Sequence, residues 1–180
     1  MGRLARHRAA RPETAGGKFG RHVWSRKTTT AAVLAAGLLA TRLWVLEPMT
    51  VSSESMEPAV PRGSTVLLYK PGPLLGGLRA GDLVVFSSPE DGRPTLKRAI
   101  AFQGQSVAIE DSVLVVDGTP QAEPGVDHSR IDGTYFGPVT VPAGHVFVLG
   151  DNRSGSIDSR AYGSVPLDKL QATVAWPSGE

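Results

Sequence analysis

The sequence predicts a mostly β protein, an antiparallel β-sheet or barrel-like domain preceded by one transmembrane helix. Three observations predict it. Short runs rich in Val, Ile, Leu and Phe recur after residue 60, broken by Gly, Pro and Asp turns. A single segment, Thr28–Leu46, is long and mostly apolar. No stretch after residue 50 combines helical periodicity with caps, so the strands must bury their apolar faces against each other, as a sandwich or closed barrel.

The elements follow in chain order. Residues 1–27 hold eight Lys and Arg against one acid, Glu13, and have no apolar periodicity, so they are expected to be disordered. The rest of the chain carries 11 basic and 16 acidic residues, a net of −5. A basic tail on an acidic body suits anionic lipid, or the cytoplasmic side of a membrane. Nucleic acid, the rival partner, is disfavoured because the tail runs straight into an apolar segment.

Thr28–Leu46 has 19 residues, close to the ~20 that span a bilayer as a helix. Arg42 interrupts it, near enough to one end to snorkel to the headgroups with Trp44 beside it at the interface. A removable secretory signal competes with this reading, since the clean apolar run Ala31–Ala40 is short. No small-x-small cleavage site precedes a new start, and Glu47-Pro48 follow at once, which favours a retained anchor. The expected organisation is a tail at 1–27, an anchor at 28–46 and an extracytoplasmic body at 47–180, with the N-terminus inside.

Within the body, Val66–Lys70, Asp82–Ser88, Thr95–Phe102, SVAIED, VLVVDG and HVFVLGD read as strands. Residues 120–138, rich in Gly, Pro and Asp, read as a variable surface insertion.

Composition narrows the chemistry. Without cysteine, disulfides, thiol nucleophiles and zinc–thiolate sites are excluded. The four histidines, His7, His22, His128 and His145, have no carboxylate or nucleophile at a telling spacing. Any hydrolytic nucleophile must then come from Ser, Thr or a metal-bound water, and the scarcity of nitrogen and sulfur ligands argues against a metal. No cofactor is expected.

Three polar clusters remain: Ser53-Glu54-Ser55-Met56-Glu57-Pro58, Lys97-Arg98, and GDNRSGSIDSRAYG over 150–163. Alternation along Thr95–Phe102 sends Lys97, Ala99 and Ala101 to one face and Arg98, Ile100 and Phe102 to the other. A lysine among apolar groups loses its charge more easily, and a neutral amine near pH 7–8 can take a proton from a serine hydroxyl. Taken alone, Lys97 is an ordinary edge-strand lysine and the serines an ordinary linker. Serine–lysine catalysis, however, needs no histidine.

Together with Gly81-Asp82-x-Val84-Val85-Phe86, the three clusters resemble the ordered boxes of the type I signal peptidases of bacteria. The resemblance covers roughly residues 30–176, and Gly150–Gly163 is its most specific part. It implies a membrane-bound serine endopeptidase that cuts signal peptides from exported preproteins after small residues of Ala-x-Ala type. It further implies Ser55 as nucleophile, Lys97 as general base, Ser53 as an oxyanion donor and Ser156 as the group that orients Lys97. Asp158 and Arg160 are implied as structural support. Asp151, Asn152 and Arg153 are expected to fix the turn.

The chain departs from the family pattern at Ala59, where threonine is usual, and at Ser154-Gly155, which replace Asp-Asn. Implied partners are preprotein signal peptides, membrane lipid and nearby secretion machinery, with no nucleic acid. Two rivals stand beside this reading: a Ser/Lys peptidase dedicated to one conjugation or maturation precursor, and an inactive membrane-anchored binding protein of the same fold. A self-cleaving repressor would need a helix-turn-helix domain, which the Gly/Pro-rich tail is too short to form.

Overall fold

The computed structural model describes residues 26–126 and 135–176. The chain divides into two units, Met1–Ala36 and Gly37–Glu180, and the boundary falls inside the first helix, α1 (Arg26–Val45). Ala and Leu dominate this segment and proline is absent, so helical propensity is high throughout. Thr30 Oγ1 donates back to Arg26 O at 2.8 Å. Val33, Leu34, Leu38 and Leu39 are exposed.

No described helix is long and apolar enough to cross a membrane. Thr28, Thr29, Thr30, Gly37 and the charged Arg26, Lys27 and Arg42 dilute the apolar content of α1. The expected span at 28–46 also ends one residue late. Glu47-Pro48 forces extended backbone on the residue before the proline, and Leu46 already belongs to a strand. The side chains of Arg42 and Trp44 lie outside the described residues, as do residues 1–25 with His7 and His22.

Strands β1 (Leu46–Thr50), β2 (Thr65–Tyr69), β3 (Leu83–Ser87), β4 (Pro94–Phe102), β5 (Ser106–Glu110), β6 (Val113–Val116), β7 (Thr119–Pro120), β8 (Phe136–Thr140), β9 (His145–Leu149), β10 (Val165–Pro166) and β11 (Leu170–Trp176) complete the fold. A four-residue helix, α2 (Ser159–Tyr162), and short helical turns at Gly72–Gly76 and Leu167–Lys169 punctuate them. All pairings are antiparallel. One sheet runs β1-β2-β11-β3-β4-β9-β10 and the other β7-β6-β5-β8. Both orders are open, so the described strands form no closed barrel. Pro48 sits in edge strand β1, where its missing N–H costs no ladder bond to a second neighbour.

Three apolar clusters hold the sheets. The first joins Met56 and Val60 to Val66, Leu83, Val85 and Leu96. The second gathers Ile100, Val107, Ile109, Leu114, Phe147 and Leu149. The third contains Val84, Phe86, Ala99, Val146, Val148 and Val165. Each large apolar side chain fully buried here is worth about 1.5–3 kcal/mol.

Strict alternation along β4 holds only up to Ala99. The register against β9 shifts between Ala99 and Ala101, and Ala101 joins Ile100 in the second cluster while Phe102 packs against the third. An extra residue in a bulge turns the remainder of a strand to its other face. Lys97 and Ala99 keep the face predicted for them; Ala101 and Phe102 exchange theirs.

The insertion expected at 120–138 overlaps two strands. It begins at the end of β7, and its last residues open β8, which pairs with β5. Composition hid β8 because it contains Gly137 and Pro138. Gly137 has φ +77°, and a Cβ there would lie 2.5 Å from Val107 O, so only glycine fits. Residues 127–134, including His128, lie outside the described residues.

Candidate active site

The serine cluster occupies the loop after β1. Val51 N donates to Ser64 O at 2.9 Å and Gly63 N returns to Val51 O at 2.7 Å, which closes the loop at its base. Val60 N donates to Met56 O at 2.8 Å. Met56 (0% exposed) and Val60 (2%) are driven into the first cluster, so the loop is pinned by burial as well as by hydrogen bonds. Ser55, one residue before this pin, is buried, whereas Ser53 is exposed. Their hydroxyls lie 3.2 Å apart.

Lys97 comes from the middle of β4. Its neighbours across the ladder are Val84 on β3 and, two residues on at Ala99, Val148 on β9. Only 2% of Lys97 is exposed, and its Nζ donates to Ser156 Oγ at 2.9 Å. Burial pulls its pKa down from 10.5 to about 8. Asp158, Asp151 and Glu90 oppose that pull, while Arg160 adds to it. The lysine is thus held close to the balance point between its charged and neutral forms at neutral to mildly alkaline pH.

The Gly150–Gly163 segment joins the two. Asn152 N donates to Ser55 O at 3.1 Å, and Asn152 Nδ2 to Glu54 O at 3.2 Å, so this turn is stitched to the serine loop. Asn152 was expected to brace its own turn, and it also does that, since its Oδ1 accepts from Gly155 N at 3.2 Å. Gly150 is wedged between the two halves of the site. A Cβ there would lie 2.6 Å from Ser55 O and press on Ser156 Cβ and Oγ. Gly150 thus lies against both Ser55, whose hydroxyl meets that of Ser53, and Ser156, whose hydroxyl accepts from Lys97.

Two ion pairs, each with a buried aspartate and a half-buried arginine, frame the segment. Asp158 Oδ1 accepts from Arg160 Nε at 2.8 Å and Oδ2 from Arg160 Nη2 at 2.9 Å. Asp158 also accepts from Gly150 N at 3.0 Å and caps α2 through Arg160 N at 3.2 Å. Arg160 Nη2 in turn donates to Arg153 O at 2.7 Å and Ser156 O at 3.2 Å. On the other side, Asp151 accepts from Arg98 Nε at 2.8 Å and Nη2 at 2.6 Å, and Arg98 Nη1 donates to Gly81 O at 2.8 Å. The Asp151 hydrogen bond raises the Arg98 pKa above its usual value. Ser159 Oγ accepts from the buried Val148 N at 2.9 Å, which ties α2 to β9.

Sequence reasoning missed three contributors. Glu123, from the insertion, forms a buried ion pair with Arg153, whose Nε donates to Gly150 O at 3.0 Å. Its partner lies 30 residues away, and nothing local marks it. Tyr162 stacks edge-on to Phe86 at 6.4 Å, and burial raises its pKa. The Asp158 cap of α2 was missed because a four-residue helix leaves no periodicity. His145 bonds locally to Ala143 O at 2.9 Å. Among the described residues, no group of three or more His, Asp or Glu is placed to hold a metal ion.

Comparison with known proteins gives the chain's relatives. The family model described as "Signal peptidase, peptidase S26" matches residues 23–178. Signal peptidase I of Bacillus licheniformis is 34% identical over 145 residues, covering 76% of this chain and 76% of that protein. Signal peptidase I T of Bacillus subtilis (strain 168) is 31% identical over 159 residues, covering 83% of this chain and 81% of its own. A solved signal peptidase I from Enterococcus faecalis V583 is 29% identical, covers 53% of this chain and 95% of its own, and superimposes with a TM-score of 0.47. A family match over residues 23–178, with relatives 31–34% identical over more than three quarters of the chain, leaves one assignment: the chain belongs to the signal peptidase family, peptidase S26.

Proposed function

We propose that the chain is a serine endopeptidase of the signal peptidase I type, which removes N-terminal signal peptides from exported preproteins with Ser55 and Lys97. The observation that carries the reading is Lys97, 2% exposed with its Nζ 2.9 Å from Ser156 Oγ and its pKa drawn down to about 8. Neutral Lys97 takes the proton of Ser55 Oγ as that oxygen attacks the carbonyl carbon of the scissile peptide bond. The tetrahedral intermediate places negative charge on the former carbonyl oxygen, for which Ser53 Oγ and the Ser55 N–H are the proposed donors. When the C–N bond breaks, Lys97 returns its proton to the leaving amine of the mature protein. Water then attacks the ester with Lys97 again accepting a proton, the C–O bond breaks, and Ser55 recovers its hydroxyl. Ser156 orients the amine, and the Asp158–Arg160 pair holds Ser156 and Gly150 in place.

The substrate is extended and adds its main chain to a strand edge, with small residues before the cut. The proposed location is the cytoplasmic membrane, N-terminus inside and strands outside, close to the secretion machinery. Support comes from the exposed apolar residues of α1 and from eight basic residues within 1–27. The test is cleavage of a preprotein with an Ala-x-Ala site by the full chain in detergent, beside Ser55→Ala and Lys97→Ala. Wild type is expected to cut and both variants to lose at least about a thousandfold; equal cleavage by all three overturns the reading.

A further inference from the structure

The turn Glu123-Pro124-Gly125-Val126 belongs to the stretch that composition marks as a surface insertion, and the reaction above makes no use of it. Val126 N donates to Glu123 O at 3.1 Å and closes the turn. Its two ends are nevertheless inside the protein: Val126 is buried, and the Glu123 side chain is 7% exposed. A cavity of about 360 Å³, lined by Arg98, Ile100, Leu114, Ala122, Pro124 and Val126, separates much of the turn from β4. The turn is therefore not simply seated on close-packed core.

Two contacts carry it to the candidate active site. Glu123 Oε1 accepts from Arg153 Nη2, and Arg153 Nε donates to Gly150 O at 3.0 Å. Gly150 in turn lies so close to Ser55 O and Ser156 Oγ that no Cβ fits. Gly125 makes the second contact. A Cβ on it would lie 3.7 Å from Arg98 Nη2 and 3.8 Å from Ala59 Cβ, which is ordinary packing distance. Arg98 holds Asp151, and Ala59 stands four residues after Ser55 in the serine loop.

The energetics favour a positional role for this contact. Arg153 is 2% exposed, so its charge needs a partner inside the protein, and Glu123 supplies one. Glu123 Oε2 is buried and accepts no hydrogen bond, which leaves the carboxylate half satisfied and costly. An apolar pair of similar volume would brace the turn at lower cost. What the ion pair adds is direction. The guanidinium is a rigid planar fork, with Nη2 set on Glu123 and Nε on the Gly150 carbonyl. Where Glu123 sits thus sets where that carbonyl sits.

We propose that Glu123 is a positioning residue for the cleavage reaction: through the Arg153 guanidinium it fixes the Gly150 carbonyl, and with it the placement of Ser55 and Ser156. This rests on the reading that Ser55 and Lys97 perform the cleavage. The insertion contributes no atom to the chemistry, yet it holds the turn on which the chemistry depends.

The test uses the full chain in detergent and a short soluble peptide with an Ala-x-Ala site, with kcat, KM and Tm measured for each variant. Glu123→Gln is expected to lower kcat about tenfold or more, with KM within about twofold of wild type. The charges acting on Lys97 are those of Asp158, Arg160, Asp151 and Glu90, so the pH midpoint of kcat/KM is expected to stay at its wild-type value. Glu123→Asp keeps the charge but withdraws the oxygen; it is expected to lose kcat as well, and carries the test if Glu123→Gln does not fold. Arg153→Met is expected to lose at least as much, and Glu123→Gln/Arg153→Met no more than Arg153→Met alone. Ile109→Ala, a substitution in the second apolar cluster, is the stability control, expected to lower Tm at unchanged kcat per folded molecule. Three results overturn the positioning role: unchanged kcat in the Glu123 variants, a double variant whose loss is the product of the single losses, or a loss that Ile109→Ala reproduces at equal Tm. A shifted pH midpoint overturns it too, since Glu123 would then act on the charge of Lys97. If Ser55→Ala and Lys97→Ala are inactive beside an active wild type, the peptidase reading survives any of these; equal cleavage by all three overturns that reading and the proposal together.

Discussion

Lys97 shows at residue scale what the proposed function costs the fold. A lysine 2% exposed among apolar neighbours is held at a pKa of about 8 instead of 10.5. Between those values the unfolded chain binds more protons than the folded one, so stability rises as pH rises from about 8 to 10.5. Below 8 the penalty is present in full, at about 3 kcal/mol. Replacing Lys97 with Met removes the buried charge and keeps the volume. Lys97→Met is expected to be inactive yet more stable than wild type at pH 7 by about 1–3 kcal/mol, with the gain shrinking toward pH 10. Urea melts across that range check it. Gly150 gives the opposite case. Its substitution by Ala sets a Cβ 2.6 Å from Ser55 O, a backbone atom that must move. A displacement near 1 Å at the nucleophile costs about a hundredfold, so kcat/KM of Gly150→Ala is expected to fall by that order with a smaller fall in Tm.

At the scale of elements, the serine loop and the 150–163 segment depend on a few anchors. Met56, fully buried in the first cluster, is the nail of the serine loop. Met56→Ala is expected to lose about 2–5 kcal/mol in a denaturant melt. Asp158 serves three donors at once: Gly150 N, Arg160 N and the Arg160 guanidinium. Asp158→Asn keeps one acceptor oxygen and loses the charge, which leaves the half-buried Arg160 uncompensated. It is expected to cost about 2–3 kcal/mol, below the value for a fully buried pair, read in the same melt.

The sequence displayed these elements unevenly. Lys97 was legible because it interrupts an apolar strand, and the serine loop because it resembles a known box. The need for Gly150 was not, because Ser55 and Ser156 close on it only after folding. Glu123 was hidden for the same reason, its partner Arg153 being 30 residues distant. Strand β11 escaped because LQATVAW lacks the Val and Ile density of the other strands. The switch of face along β4 was invisible because a bulge is set by the partner strand, β9.

For the whole molecule, the proposed function rests on a buried base in the strand domain. The central claim is that Ser55 is activated by the neutral amine of Lys97. The most direct test is the pH dependence of kcat/KM, which reports the essential groups of the free enzyme. It is measured with the full chain on a preprotein from about pH 6 to 10, a window that brackets the Lys97 pKa of about 8. The expected profile rises about tenfold per pH unit below about 8 and reaches a plateau above it. Ser55→Ala and Lys97→Met are expected to be inactive at every pH. A profile flat across pH 8, or substantial cleavage by Lys97→Met, contradicts the claim.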